Sequence, residues 1–353
     1  MSSVITGIGS YIPSQIKKNS DFINENFYTD KNEVINTSNE IIIKKFKAIT
    51  GIEERRYAAD NLDSSDLATI AAQKAIDDAG IDMEELDYII LAQNFGNIKK
   101  GEVQSDFLPS LASRVKHNLR IKNPNCVGYD VVFGCPGWIE GLIQADTYIK
   151  AGLAKKCLII GTETLSRVMD KYDRDSMIFS DGAGACILEA AENSITGILS
   201  HITTTHTYDE AYFLSYGKCN NLEADQSTRY MKMAGRKIYE FALNHVPLAM
   251  KTALDKSSIA IKDLKKIFIH QANEKMDEAI VDRFYKLHDM TMPEHIMPMS
   301  IKKLGNSSVA TIPTLLDLVR NNKIENHQVN KGDIIMFASV GAGMNINAII
   351  YRY

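Results

Sequence analysis

Residues 75–94 read AIDDAGIDMEELDYIILAQN, and residues 253–272, ALDKSSIAIKDLKKIFIHQA, align with them without a gap. Both stretches contain the end of a helix, a short polar linker and an apolar strand, and their apolar positions coincide. The offset between them is about half of the 353-residue chain. Such self-similarity indicates an internal duplication. The sequence therefore predicts two similar halves, residues 1–190 and residues 191–353.

The rest of the chain alternates helical patterns with short apolar runs. The stretch of residues 64–80 has the pattern of a helix together with its caps. Ser64 or Ser65 is the predicted N-cap, and Gly80 lies just beyond the predicted end of the helix. The apolar runs are continuous, which is typical of strands covered on both faces. They lie at residues 86–94, 126–134, 156–164, 265–273 and 333–341. We therefore expect an α/β protein in which helices cover the sheets on both sides.

The composition, with 45% hydrophobic and 24% charged residues, is that of an ordinary soluble globular protein. A net charge of −4 argues against a nucleic-acid-binding protein with a broad basic surface. No apolar run approaches the roughly 20 residues of a membrane span, and no signal peptide is recognisable. The five cysteines form no C-x-x-C pair. We therefore predict reduced thiols, a cytoplasmic location and no metal site.

A second stretch, FGCPGWIEGLIQADTYIKAG, runs from Phe133 to Gly152 and has the pattern of a long helix. The proline directly after Cys135 suits the first position of a helix, where its missing N–H would have no partner. This predicts that the thiol lies at a helix N-terminus, where the helix dipole and free N–H groups lower the pKa of a cysteine. Cys135 is thus a candidate nucleophile. The alternative is a buried core cysteine.

Two further polar residues hold comparable places in the repeat. A helix and then a strand follow both Cys135 and Asn306, and His270 ends a strand where the first half has Ala92. Equivalent element ends of a duplicated chain meet near its pseudo-two-fold axis, so we expect these three polar side chains in one site. A cysteine nucleophile needs a base or charge partner and a place for an oxyanion. Taken singly, His270 is equally typical of a structural histidine and Asn306 of a turn residue.

Together these motifs resemble the β-ketoacyl-acyl-carrier-protein synthase III family of the thiolase superfamily, over essentially the whole chain. The matching motifs are DVVFGCPGW, GTETLSRVMDKYDRDSMIFSDGAGA, MKMAGRKIYEFA, IHQAN, LGNSSVATIP and the final GAGMN. The resemblance implies the five-layered αβαβα thiolase fold with two similar halves, and a homodimer. It also implies a catalytic triad of Cys135, His270 and Asn306.

The resemblance further implies a decarboxylative Claisen condensation that initiates fatty-acid synthesis. Cys135 would attack an acyl thioester and hold the acyl group while a malonyl thioester enters. Neutral His270 and Asn306 would stabilise the enolate formed by loss of carbon dioxide, and this carbanion would attack the acyl-cysteine. The product is a β-ketoacyl-acyl carrier protein (ACP). The backbone N–H groups of Cys135 and Ala342 occupy the oxyanion-hole positions.

Binding roles follow from the same resemblance. It places Arg167 and Asn273 at substrate-binding positions. Lys275, together with Arg236 and Lys237, forms an expected basic docking site for the acidic carrier protein. The expected partners are ACP, an acyl-CoA or acyl-ACP donor and a malonyl thioester. No cofactor is expected, since the CoA and phosphopantetheine thioesters are substrates. No nucleic-acid or membrane partner is expected either.

The chain departs from the family where typical members carry a tryptophan and an arginine that hold the adenine of coenzyme A. Lys45 and Ile49 occupy these two positions, and neither side chain stacks on adenine in the same way. The sequence therefore leaves acyl-CoA and acyl-ACP open as donors. Residues 106–110, DFLPS, are expected to shape the acyl pocket.

Other functions remain open alternatives. A specialised ketosynthase that makes resorcinols, polyenes or pigments would use the same chemistry. A hydroxymethylglutaryl-CoA-synthase-like enzyme would use a glutamate base, whereas this chain offers Asn306. A non-catalytic thiolase-fold partner subunit usually lacks the nucleophile. A thiol-dependent acyltransferase or hydrolase would share the acyl-enzyme step but release no carbon dioxide from malonyl thioesters.

Overall fold

The computed structural model describes residues 2–192 and 194–353. Within these ranges the chain forms thirteen strands and eight α-helices. The strands are β1 Ser2–Tyr11, β2 Gln15–Lys18, β3 Glu54–Tyr57, β4 Tyr88–Ala92, β5 Val127–Val131, β6 Lys156–Thr164, β7 Asp181–Ala191, β8 Gly197–Thr205, β9 Leu214–Gly217, β10 Tyr230–Met233, β11 Leu264–Ile269, β12 Ile334–Gly341 and β13 Asn345–Arg352. The helices are α1 Asn39–Thr50, α2 Ser64–Ala79, α3 Leu111–Asn118, α4 Gly137–Lys150, α5 Gly235–Ser257, α6 Glu274–Lys286, α7 Ile301–Leu304 and α8 Thr311–Arg320.

Two mixed sheets form the body of the protein. The first has the strand order β1-β7-β6-β4-β5, and the second has the order β11-β12-β13-β8. Strand β4 runs parallel to both β5 and β6, and β11 runs parallel to β12. Parallel strands place their carboxyl ends at the same edge of a sheet, where ligands bind in open α/β folds. Two short antiparallel pairs, β2 with β3 and β9 with β10, lie outside these sheets.

The helices and sheets alternate in five layers. Helices α2 and α3 pack on the outer face of the first sheet, and α5 and α6 pack on the outer face of the second. Helices α4 and α8 fill the space between the sheets, where Trp138 packs edge-on against Phe337 with ring centroids 5.8 Å apart. Burial of such large apolar side chains is a main source of stability. This arrangement confirms the predicted αβαβα fold with two similar halves.

The local structure follows the repeat found in the sequence. Helix α2 is followed by Gly80 and helix α5 by Ser258, which lies 178 residues later, and both residues have left-handed backbone angles. A single turn of 3₁₀-helix then covers residues 83–85 in the first half and 261–263 in the second. A serine adopts this conformation at a higher cost than a glycine, so the shared architecture imposes it. The boundary between residues 190 and 191 stays a prediction.

The predicted N-cap of α2 needs a correction. Asp63, rather than Ser64 or Ser65, precedes the first helical residue and has the extended backbone of an N-cap. Its N–H donates to the carboxylate of Asp66 at 2.8 Å, as in a capping box. The predicted end of the helix at Gly80 is confirmed. None of the helices in the described residues is long and apolar enough to cross a lipid bilayer.

Candidate active site

Cys135 lies in the turn between β5 and α4 and is partly exposed. Pro136 is the N-cap of α4 and not its first helical residue, so the helix begins one residue later than predicted. The Cys135 thiol therefore lies just before the first helical turn. Burial raises the pKa of the Cys135 thiol to about 11; a hydrogen bond from the Ser308 hydroxyl opposes this rise, and the Glu163 carboxyl adds to it. The predicted lowering of the thiol pKa is therefore wrong for the resting site, because desolvation outweighs the hydrogen bonds that the Ser308 hydroxyl and the Cys135 backbone N–H offer to the sulfur.

Two backbone segments, one from each half, lie against each other beside the nucleophile. They are residues 134–135 and residues 341–342. A methyl group added to Gly341, at the end of β12, would lie 2.4 Å from the Cys135 nitrogen. One added to Gly134, whose φ is 67°, would lie 2.5 Å from the Ala342 nitrogen. Glycine fits both positions because it has no Cβ and tolerates positive φ. The two N–H groups predicted for the oxyanion hole thus lie on adjoining backbone segments.

Asn345 links these two segments through its side chain. Its Nδ2 donates to the Ala342 carbonyl at 2.8 Å and to the Phe133 carbonyl at 3.3 Å. Its Oδ1 accepts a hydrogen bond from the Thr205 hydroxyl at 2.6 Å. The last residue of the GAGMN motif therefore fixes the turn that follows β12 against the turn that carries the thiol.

His270 follows the last residue of β11, and its side chain is only 5% exposed. Its backbone N–H donates to the Ala338 carbonyl of β12 at 2.9 Å. Burial lowers the pKa of the imidazole to about 4, so the ring is neutral near pH 7. Within the described part of the chain, Nδ1 has no hydrogen-bond partner. A neutral imidazole of this kind can donate one hydrogen bond or accept a proton.

Asn306 is buried and is held by its backbone. Its N–H donates to the Ile178 carbonyl at 3.0 Å, and its carbonyl accepts from the N–H of Ser180 at 2.8 Å. Its Oδ1 accepts from the N–H of Ser308 at 2.8 Å. Because the amide oxygen is engaged in this way, the side-chain NH₂ group is the part of Asn306 that can serve a substrate.

Gln271 fixes the loop of His270 relative to the loop of Asn306. It is fully buried, and its Oε1 accepts from the backbone N–H groups of Ser300 at 2.9 Å and Ile301 at 3.0 Å. These residues begin the short helix α7, which leads directly to Asn306. The glutamine of the HQAN motif therefore has a clear structural task.

Cys135 and Asn306 are linked through Ser308 near the carboxyl end of β12, and His270 is bonded to the same strand through its backbone. His270 is hydrogen-bonded to this strand, and Gly341 at its end contacts Cys135. Ser308 contacts both Sγ of Cys135 and the side chain of Asn306. The structure thus brings together residues from both halves, as expected, while their catalytic roles stay predictions.

Three polar residues of this site were not predicted from the sequence. The Ser308 hydroxyl donates to Cys135 Sγ at 3.3 Å. Asn94 donates to the Glu163 carboxyl at 2.6 Å, and its Oδ1 accepts from the Gly134 N–H at 3.0 Å. Asn94 and Glu163 are polar residues at the carboxyl ends of apolar strands, a pattern that could have identified them. Ser308 belongs to the GNSS motif.

Comparison with known proteins identifies the family. The model of 3-oxoacyl-[acyl-carrier-protein (ACP)] synthase III matches residues 129–206, and the model of its C-terminal part matches residues 254–353. A β-ketoacyl-[acyl-carrier-protein] synthase III of Vibrio vulnificus (strain YJ016) is 33% identical over 359 aligned residues, which cover all of both chains. The chain belongs to the synthase III family. The predicted family is therefore confirmed.

Solved structures agree with the architecture. The synthase III structure from Aquifex aeolicus VF5 is 29% identical and superposes with a TM-score of 0.80, over 99% of this chain and 100% of that chain. The priming β-ketosynthase from the R1128 polyketide biosynthetic pathway gives a TM-score of 0.80 at 24% identity, over 99% and 96% of the two chains. This second likeness shows the fold alone.

The guanidinium of Arg167 is bonded entirely within the protein in the contacts that the structure shows. Its side chain is 1% exposed, and its guanidinium binds the Asp63 carboxylate at 2.7 Å. It also donates to the carbonyls of Ala59, Leu62 and Ile98. These bonds hold the guanidinium against the segment that leads into α2, and the predicted role of Arg167 in substrate binding stays a prediction. Asn273 caps α6, and its role in binding stays a prediction.

The residues predicted to dock a carrier protein begin two outer helices. Arg236 and Lys237 lie in the first turn of α5 and Lys275 in the first turn of α6, and all three are exposed. Arg236 pairs with Glu240 at 2.9 Å, and the Lys237 ammonium lies 5.3 Å from the ring centroid of Phe213. Exposed pairs of this kind are weak, so the cations stay accessible to a partner. Their docking role stays a prediction.

Proposed function

We propose that the protein condenses an acyl thioester with malonyl-ACP, with loss of carbon dioxide and through an acyl-cysteine at Cys135, and thereby initiates fatty-acid synthesis. The main observation behind this proposal is that Ser308 links Cys135 to Asn306 beside the end of β12, the strand to which the backbone of His270 is bonded. Membership of the synthase III family supports the same reaction.

The first half-reaction transfers the acyl group to Cys135. Because burial raises the pKa of the thiol to about 11, it is protonated at rest and must lose its proton as Sγ attacks the thioester carbonyl. Neutral His270 is the group of the triad that can accept this proton. The N–H groups of Cys135 and Ala342 stabilise the tetrahedral oxyanion. As the thioester bond breaks, the leaving thiolate of the donor takes the proton from His270, so the donor departs as a thiol and the imidazole is neutral again.

The second half-reaction forms the new carbon–carbon bond. When malonyl-ACP loses carbon dioxide, the electron pair of the broken bond enters an enolate whose oxygen carries the negative charge. His270 and the Asn306 NH₂ group donate hydrogen bonds to this oxygen. The carbanion carbon attacks the acyl-cysteine carbonyl, and Cys135 leaves as the thiolate. The product is β-ketoacyl-ACP.

The surface of α1 bears on the choice of acyl donor. Lys45 and Ile49, which replace the adenine-holding residues of typical relatives, are both exposed, Ile49 to 53%. Neither of these two side chains has an aromatic ring or a guanidinium that could stack on adenine. This favours recognition of the phosphopantetheine arm, which acyl-CoA and acyl-ACP share. The same replacement of the adenine-holding residues supports a second candidate function, a specialised ketosynthase that uses an acyl-ACP donor.

A homodimer fits the edge of the first sheet. Strand β5 pairs only with β4 in the described part of the chain, so its other edge is free to pair with a second copy. Val127 and Val132 are exposed apolar residues at the two ends of β5. Phe107 and Leu108 are exposed apolar residues in the loop before α3. The predicted pocket segment 106–110 is thus at the surface of the single chain, where a second copy would cover it. The five free cysteines fit a cytoplasmic location.

Condensation of purified protein with malonyl-ACP tests the proposal. The protein is mixed with an acyl-CoA or acyl-ACP donor and malonyl-ACP, and both released carbon dioxide and β-ketoacyl-ACP are measured by mass spectrometry. We expect one carbon dioxide for each condensed product in the wild type, and no β-ketoacyl-ACP with Cys135→Ala, which cannot hold the acyl group. Acyl transfer without carbon dioxide release would replace condensation by an acyltransferase or hydrolase. Absence of both would favour a binding subunit.

A further inference from the structure

The side-chain amide of Asn94 is engaged at both ends. It follows β4 by two residues, and its Oδ1 accepts from the Gly134 N–H at 3.0 Å. Its Nδ2 donates to Glu163 at 2.6 Å and lies 3.4 Å from the Ser308 hydroxyl oxygen. The oxygen must face the backbone donor and the nitrogen must face the two acceptors. The orientation of this amide is therefore fixed by its surroundings.

The Ser308 hydroxyl is directed toward the nucleophile. Because its oxygen accepts from the Asn94 amide, its own proton points to Cys135 Sγ, 3.3 Å away. Ser308 has a positive φ of 53°, which non-glycine residues rarely adopt. Its N–H bond to Asn306 holds this backbone conformation. Strain of this kind persists where the surrounding structure specifies it, often at a functional site.

Glu163 is the buried acceptor at the other end of this chain of hydrogen bonds. It lies near the end of β6 and is 1% exposed. Burial raises its pKa to about 8, so the carboxyl is largely protonated near pH 7. A protonated carboxyl still accepts a hydrogen bond. It can therefore bind the Asn94 amide without placing a full negative charge beside a developing thiolate.

We propose that Glu163 and Asn94 are positioning residues for Cys135. Glu163 fixes the Asn94 amide, and Asn94 anchors the turn at Gly134 and orients the Ser308 hydroxyl. That hydroxyl donates a hydrogen bond that is stronger to the thiolate than to the thiol, and so favours the reactive form. The inference rests on the proposed function in one respect, that Cys135 is the nucleophile.

Alkylation of the full-length protein by iodoacetamide measures the reactivity of the thiol without any acyl substrate. Cys135 is the partly exposed cysteine, and the other four are buried. A hydrogen bond to a charged group changes a pKa by about one to two units, and part of the lost thiolate is compensated by higher nucleophilicity. We expect Asn94→Ala and Ser308→Ala to slow alkylation by about three- to tenfold at pH 7, where Glu163 is largely protonated.

Variants of Glu163 separate its acceptor role from its charge. Glu163→Gln keeps a carbonyl oxygen that can accept from Asn94, so its alkylation rate should stay within about twofold of wild type. Glu163→Met has no such acceptor and should slow alkylation as Asn94→Ala does. Equal slowing by the glutamine and methionine variants would overturn the proposed role of Glu163.

Asn97 provides a matched control in the same loop. It is also a buried asparagine, but its amide is bonded to Ser65 at the start of α2. Asn97→Ala should lower the melting temperature and leave the alkylation rate unchanged. The inference is overturned if Asn97→Ala slows alkylation as much as Asn94→Ala, or if Ser308→Ala and Asn94→Ala both react at the wild-type rate. Failure of the proposed function would show separately, as absence of acylation in the wild type.

Discussion

The two halves share a scaffold but differ at the ends of equivalent strands. In the first half, Ala92 ends β4 and Asn94 follows, whereas the equivalent positions of the second half carry His270 and Ala272. The first half supplies the nucleophile and the Asn94 hydrogen bonds around it, and the second supplies the two donors of the proposed triad. The duplication thus provides the frame, and a few substitutions at carboxyl ends of strands provide the chemistry.

Burial acts in opposite directions on the two reactive groups of these halves. It raises the pKa of the Cys135 thiol to about 11 and lowers the pKa of the His270 imidazole to about 4. Both shifts favour the uncharged form. The resting site therefore contains a neutral thiol and a neutral imidazole rather than an ion pair. Charge develops only during the reaction, where the oxyanion hole and the triad donors can stabilise it.

The largest expected effect comes from the helix layer that packs between the two sheets and joins the two halves. Trp138 on α4 is fully buried against Phe337 of the second sheet. Trp138→Ala should lower the free energy of unfolding by about 3–5 kcal/mol, because it leaves a cavity between the halves. Urea denaturation checks this, and Leu248→Ala on the exposed face of α5 is a control that should change stability by less than about 0.5 kcal/mol. Separate unfolding of the two halves in wild type would contradict a common core.

Asn306→Asp tests whether the second half of the chain serves decarboxylation more than acylation of Cys135. Aspartate keeps an oxygen that can accept from the Ser308 N–H but loses the NH₂ donor. Malonyl decarboxylation should fall by about 10²–10³-fold, as for loss of one oxyanion donor, while acylation of Cys135 should fall by less than about tenfold. Single-turnover measurements of each half-reaction check this. An equal loss in both would show that Asn306 does not serve the second half-reaction in particular.

The pH profile of decarboxylation tests the neutral histidine. With a pKa near 4, the His270 ring stays uncharged as the pH falls from 8 to about 5, and it charges only as the pH approaches 4. The decarboxylation rate of the acylated protein should therefore be flat from pH 8 to pH 5. A fall centred near pH 6.5, the ordinary pKa of histidine, would show instead that the ring is well solvated.

The docking surface should give the smallest effect. Lys275→Glu is expected to raise KM for malonyl-ACP by about two- to fivefold and to leave KM for malonyl-CoA unchanged, because an exposed charge pair contributes little. Lys286→Glu is a matched control at the other end of α6, where the lysine pairs with Asp282. If both substitutions raise KM equally, the effect comes from overall charge and the Lys275 surface is not a specific docking site.

The fold could largely be predicted because its information is local. Apolar runs indicated five strands of the two main sheets, β4, β5, β6, β11 and β12, and β6 has the predicted bounds of residues 156–164. Strands β1, β7, β8 and β13 were not predicted. The repeat between residues 75–94 and 253–272 indicated two similar halves. The position of Cys135 before a helix could also be predicted, since proline is favoured at the start of a helix and Pro136 follows the cysteine directly.

The rest of the site depends on contacts that no local pattern shows. Ser308 and Cys135 are 173 residues apart, and Asn94 and Glu163 are 69 residues apart. The Ser308–Cys135 bond exists only when the two halves pack together, and the Asn94–Glu163 bond exists only when β4 and β6 pair in the first sheet. The sign of the thiol pKa shift likewise depends on how much protein covers Cys135, which the sequence does not show.

Intact-protein mass spectrometry with panels of acyl-CoA and acyl-ACP tests the central claim most directly. Wild type should gain the mass of one acyl group, located at Cys135 by peptide mapping, and Cys135→Ala should gain none. The preferred donor would also distinguish fatty-acid initiation from a specialised pathway. Equal labelling of the alanine variant, or no labelling of wild type by any donor, would contradict the assignment of Cys135 as the nucleophile.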